Sequence, residues 1–194
     1  MDKYEVTNGD WKAFEKYLAN EGENPAEYRT NDVWEHMGNL FKEQYYSKTE
    51  FNEYPVVGVT HEGAKKYCIW KGSRSGRKGI FRLPTVDEVH YQIAEGEQGR
   101  KWRRTKKWAK KVEAQMCNLS YSNKTCIASH HSNAVNKFGI YNIKGNVAEM
   151  TTEKGKAVGG SYVDKDDKDW TTYVQTYDEP TDWIGFRCVC ELTN

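Results

Sequence analysis

The chain has 194 residues, with 29 Lys and Arg against 28 Asp and Glu, so a net charge of +1 offers no global field for nucleic acid or a membrane surface. Mean hydropathy is −0.93, and no apolar run approaches the roughly 20 residues that a membrane-crossing helix needs. Seven Trp, thirteen Tyr and six Phe stand beside few aliphatic residues, a mixture that suits a loop-rich fold pinned by rings better than a helix bundle or a Val/Ile-rich parallel sheet.

The first element in chain order is a short strand in KYEV, followed by a helix beginning at an Asn8 cap. Trp11, Phe14, Tyr17 and Leu18 recur at three-to-four spacing and define its inward stripe. Residues 20–54 are polar and aromatic without a clean period, which predicts loop with one short helix near Val33–Phe41. YPVVGV then enters THEGAKKYCIWKG, a helix capped by Thr60, with Ala64, Tyr67 and Cys68 inward and Gly72 as its stop. The basic turn SRSGRKG leads to FRLPTVDEVHYQIAEG. There Thr85 and Glu88 form a capping box, Val86, Val89 and Ile93 the inner stripe, and Gly96 the end. Beyond residue 112 helical periodicity stops. FGIYNI, KAVGGSYV, TTYVQTY and WIGFRCVCEL are strand-length pieces set in long loops. Helices first and short strands later describe an α+β domain. No repeat and no linker composition divides 1–194, so a single domain is expected.

Within this frame YNIKGNVAEM, residues 141–150, places Asn142, Asn146 and Glu149 around Gly145 in an otherwise apolar stretch. A carboxylate buried against turn carbonyls is repelled by them unless a cation reverses the sign, and calcium accepts carboxylate, amide and carbonyl oxygens alike. Without an ion, Glu149 would cap backbone N–H groups or pair with an arginine such as Arg187. The run RKWRRTKKWAKK, 100–111, interleaves basic residues with Trp102 and Trp108. It suits an anionic partner, lipid or polysaccharide, or is a solvated insertion; specific nucleic-acid binding is not expected. In 164–183, Asp164, Asp166, Asp167, Asp169 and Asp178 could bind a cation or a basic partner. Trp170, Tyr173, Tyr177 and Trp183 could stack on a sugar or a peptide, the plainer alternative being a solvated face. His130 and His131 are adjacent and point to opposite faces of an extended segment, and His36, His61 and His90 form no HxxxH or HxH pattern.

The five cysteines include no CxxC, and Cys188-Val189-Cys190 is a poor metal spacing. Outside a reducing compartment they make two pairs and one leftover; inside one they are free or metal-bound. Disulfides are the preferred reading, which expects a periplasmic, cell-surface or secreted protein. Met1 runs straight into KYEVTN with no signal peptide, so export would need an upstream segment that this chain lacks.

The ordered motifs YEVTN, YPVVGVTHEGAKKYCIW, FRLPTVDEVHY, FGIYNIKGNVAEMT, VGGSY and GFRCV resemble the domain of formylglycine-generating enzyme, the sulfatase-modifying factor domain, over nearly the whole chain. The resemblance implies a C-type-lectin-like fold, with two or three helices packed on small twisted sheets and much irregular structure. It implies a calcium ion held by the Asn142 side chain, the Gly145 and Val147 carbonyls and the Glu149 carboxylate. Asn118 and Leu119 correspond to a second calcium site, whose acidic loop is replaced here by YSNKTCIASHHSN. Cys68 and Cys188 correspond to a family disulfide, unless they are merely buried small hydrophobes. Cys117 and Cys126 could then close a ten-residue loop, leaving Cys190 unpaired.

Family enzymes oxidise a substrate cysteine with copper held by two thiolates just after GGS. Here Asp164 and Asp169 take those positions, and Ala148 takes that of a tryptophan beside the active site. Hard carboxylates hold Cu(I) poorly, so neither copper nor a catalytic residue is expected. The iron-dependent branch draws its three histidines largely from a helical domain absent from these residues. The lead-in VWEHMGNLFKEQYYSKTEFNEYPVVGV resembles the variant in gliding-motility and type IX secretion lipoproteins, and some retroelement-diversified relatives recognise ligands through the region of 164–183. The expectation is a non-catalytic binding or structural module, stabilised by calcium and engaging a protein or glycan. The alternative is an oxidoreductase-like enzyme of the formylglycine-generating or non-haem iron kind with a diverged site.

Overall fold

The computed structural model describes residues 1–34, 44–96, 135–164 and 168–193. Most of the helix expected near Val33–Phe41 falls outside them, as do the basic run 100–111, Cys117, Cys126, Asn118, Leu119, His36, His130, His131, Asp166 and Asp167.

Helix α1 spans Asn8–Asn20, α2 His61–Arg74 and α3 Val86–Gly96. Strands β1 (Ile80–Arg82) and β6 (Val189–Glu191) pair antiparallel, with Phe81 opposite Cys190. The larger sheet has the order β4-β3-β2-β5, from Val174–Thr176, Lys156–Val158, Ala148–Met150 and Ile184–Gly185. There β3 runs antiparallel to both β2 and β4, while β5 lies parallel to β2. Helices precede most of the strands and the strands are two or three residues long, so the class is the α+β arrangement expected.

Three local expectations are corrected. Thr7, not Asn8, caps α1: its side chain accepts the Asp10 N–H while Asp10 takes the Thr7 N–H, a reciprocal box that satisfies two helix-end donors. Asn8 becomes the first helical residue, fully buried, and its Nδ2 donates to the carbonyls of Tyr45 and Phe51. Trp11, Phe14 and Leu18 are buried, but Tyr17 falls on the stripe's edge and meets Trp70 at the surface. Gly72 does not stop α2. It lies against Phe81, where a Cβ would come within 2.9 Å of the ring, so glycine serves close approach there.

Trp11, Phe14, Tyr67 and Phe186 interlock between α1 and α2, with Trp11 5.1 Å from Phe14 and Tyr67 5.4 Å from Phe186. Cys68 and Cys188 belong to the same cluster and are disulfide-bonded, Cα atoms 5.7 Å apart, tying α2 to the approach of β6. A second cluster under α3 holds Val89, Ile93, Ile140, Ile143, Val158 and Trp170. The third gathers Tyr45, Val57, Val147 and Tyr162. The segment FGIYNI, read as strand-length, is turn instead. Asn142 and Asn146 adopt φ of 51° and 67°, and β2 begins only at Ala148.

Candidate functional site

The turn 142–149 draws its residues into the interior because each flank is anchored. Ile143 enters the α3 cluster and Val147 the third cluster. The Ala148 N–H donates to Trp183, and the Asn146 carbonyl accepts from Tyr162. Glu149, central in β2, is fully buried, and so is Arg187, which precedes β6. Arg187 Nε donates to Glu149 Oε1 at 2.7 Å, and Nη2 lies 2.5 Å from the same oxygen. Its remaining N–H groups donate to the carbonyls of Asp2 (3.2 Å), Lys3 (3.1 Å) and Tyr141 (2.9 Å). Of the two alternatives without an ion, this is the arginine pair.

A second buried carboxylate, Glu5, was not singled out in the sequence. Asn142 Nδ2 donates to its Oε2 at 3.3 Å and Asn146 Nδ2 to its Oε1 at 2.8 Å. The available signal was an acidic residue between Tyr4 and Val6 in a strand-like segment, which states nothing about its partners. Arg187 thus bonds Glu149 directly and acts on Glu5 only through its charge. Burial pushes the Glu149 carboxyl up to about 7 despite the pull of Arg187, and burial raises Glu5 as well. Glu149 Oε2 is buried with no hydrogen-bond partner among the described residues. An orphaned carboxylate oxygen is costly in a dry interior.

The donor chemistry at this turn fits a hard cation. Among the described residues no three His, Cys, Asp or Glu side chains gather at one point, so an ion here would need amide and carbonyl oxygens beside one carboxylate, a mixture that calcium accepts. Glu149 Oε2 is the atom such a cation would satisfy.

The acidic loop divides differently. Asp164 Oδ2 accepts the Ser161 N–H at 2.7 Å, the Ser161 hydroxyl at 2.6 Å and Gln175 Nε2 at 3.0 Å. Asp169 is exposed, and its Oδ1 accepts the Thr171 N–H at 3.1 Å and hydroxyl at 2.6 Å. Those Thr171 bonds hold its carboxyl below the usual range. Each carboxylate therefore braces its own turn. Trp170 is 2 % exposed, which corrects its assignment as a stacking platform. Its ring lies against Gly160, where a Cβ would come within 2.6 Å, and fills the cluster beneath α3. Tyr177 packs on the first cluster with its hydroxyl buried, and Trp183 is wedged against the first and third. Tyr173 is 37 % exposed, edge-on to Trp170 at 5.6 Å, with Lys168 Nζ 5.5 Å from its ring centre. Tertiary structure adds His90 of α3, whose Nε2 lies 3.1 Å from the Tyr173 carbonyl. The exposed members of the predicted ligand surface are thus Asp169, Tyr173 and Asp178, with Lys168 and His90 beside Tyr173.

The family model of the sulfatase-modifying factor enzyme 1-like domain matches residues 1–192. The chain belongs to this family. It is 28% identical over 162 residues to the inactive C-alpha-formylglycine-generating enzyme 2 of Bos taurus, covering 70% of this chain and 50% of that protein. The chain therefore spans about half the length of that curated relative. Among solved structures it is similar to CarF, with a TM-score of 0.69 and 19% identity over 98% of this chain and 85% of that one. It is also similar to PvdO from Pseudomonas aeruginosa, with a TM-score of 0.64 and 19% identity over 98% and 79%. These likenesses establish the sulfatase-modifying-factor fold. No helix among the described residues is long and apolar enough to cross a membrane.

Proposed function

We propose that this chain is a non-catalytic binding or structural module that holds calcium at the turn 142–149 and engages a protein or glycan through Lys168, Asp169 and Tyr173. The observation that carries the reading is at the positions aligned with the family's copper thiolates. Asp164 and Asp169 offer hard oxygen there in place of sulfur, and each is engaged in its own turn. Asn142, Gly145, Val147 and Glu149 would hold the calcium, which would supply the positive charge that Glu149 Oε2 lacks. The Cys68–Cys188 bond supports an extracytoplasmic site of action. A place in a secretion or motility assembly rests on the lead-in at 33–59, and an anionic partner on the basic run 100–111.

Metal analysis tests the reading. The purified chain is stripped with chelator and re-equilibrated with equimolar calcium, Cu(I) and Fe(II), and its metal content is measured. One retained calcium with neither transition metal is expected. Stoichiometric copper or iron, with turnover of a thiol peptide, would replace the module by an oxidoreductase.

A further inference from the structure

The calcium turn is bonded to a side chain 137 positions upstream. We infer that Glu5 is a positioning residue for the ion, orienting the Asn142 amide and so coupling calcium binding to docking of the N-terminal segment 2–6. The inference rests on the calcium reading above and deepens it.

Asn142 turns its Nδ2 to Glu5 Oε2, which leaves its oxygen on the side away from Glu5. Asn146 is held in the same way by the other oxygen of that carboxylate. Both asparagines are fully buried with left-handed backbones, so neither is readily re-aimed by rotating the turn. The Glu149 side of the turn reaches the same segment. Arg187, which holds Glu149 Oε1, also donates to the carbonyls of Asp2 and Lys3. Backbone bonds close the connection: Asp2 N–H to Cys188, Val6 N–H to Phe186, and Tyr141 N–H to Lys3. Segment 2–6 thus grips the turn through a carboxylate at one end and a guanidinium at the other. Ordering the turn around an ion orders the segment, and releasing the segment frees the amide that the ion uses.

Outer partners that orient metal ligands typically contribute about 10–100-fold in affinity. Glu5→Gln offers an N–H as well as an oxygen and no longer dictates which way Asn142 faces. Calcium titration by calorimetry should show affinity falling about tenfold in Glu5→Gln, and in Asn142→Ala as well. Within Asn142→Ala, adding Glu5→Gln should change affinity less than about twofold, because Glu5 acts through that amide. A full additive loss in the double variant would make Glu5 a remote charge and overturn the positioning role. Hydrogen exchange on the unaltered chain supplies a readout independent of the variants' folding. Calcium should slow the amides of Asp2, Val6 and Tyr141, and unchanged rates would overturn the coupling. If the unaltered chain binds no calcium, the site itself fails. If it binds while Glu5→Gln binds equally well, only the inference about Glu5 fails.

Discussion

Removing the Cys68–Cys188 bond by a double alanine substitution is expected to lower the melting temperature by more than ten degrees. The bond joins residues separated by 120 positions. Closing so long a loop restricts the unfolded chain, which the chain-entropy account values at about 4.9 kcal/mol at 25 °C. Globular chains gain about 2.1 cal/mol/K per residue on unfolding, or about 0.4 kcal/mol/K at this length, so the loss corresponds to about 12 °C. Both sulfurs lie in the aromatic core, and the small voids left by alanine push in the same direction. The assay is thermal unfolding followed by circular dichroism under oxidising conditions. A Cys190→Ser background keeps the half-buried thiol that is free among the described residues from exchanging. Chemically reduced parent protein provides the same comparison without a void. If the variant and the reduced parent both melt within about 3 °C of the oxidised parent, the bond does not limit the unfolded ensemble and the reasoning fails.

Arg187→Met should cost about 3–5 kcal/mol in urea titrations, because it strands Glu149 and Glu5 in the interior without their guanidinium; a loss below about 1 kcal/mol would show that the three groups are not mutually dependent. Glu88 provides a pH test. Arg82 donates to its two oxygens at 2.8 and 2.9 Å and the Thr85 N–H adds a third bond, holding its carboxyl below the ordinary 4.5. A depressed folded-state value stabilises above the unfolded-state value and is lost as pH falls through the folded one. The melting gap between parent and Glu88→Gln should therefore be open near pH 6 and shrink as pH falls below 4.5. A gap independent of pH would assign the effect to packing.

Helices with complete end signals were legible. Thr60 and the Thr85–Glu88 box sit where the sequence placed them, since capping is decided within four residues. At α1 two adjacent residues were competent caps, and Asp10 tipped the choice to Thr7 by closing the reciprocal box. The loop 164–183 has no period, so nothing local told Trp170 from Tyr173. The space beneath α3 took the larger ring, and glycine at 160 left room for it.

Sequence alone determined the α+β class, the starts of α2 and α3 and the donor types carried by the turn at 142–149, because propensity, capping and side-chain type act over a few residues. Only the tertiary structure decided what that turn faces. Glu5, the turn that carries Asn142 and Glu149, and Arg187 are far apart along the chain, and packing of the core brings them into one dry volume. There, burial and mutual Coulomb effects tie the states of Glu5, Glu149 and Arg187 to one another.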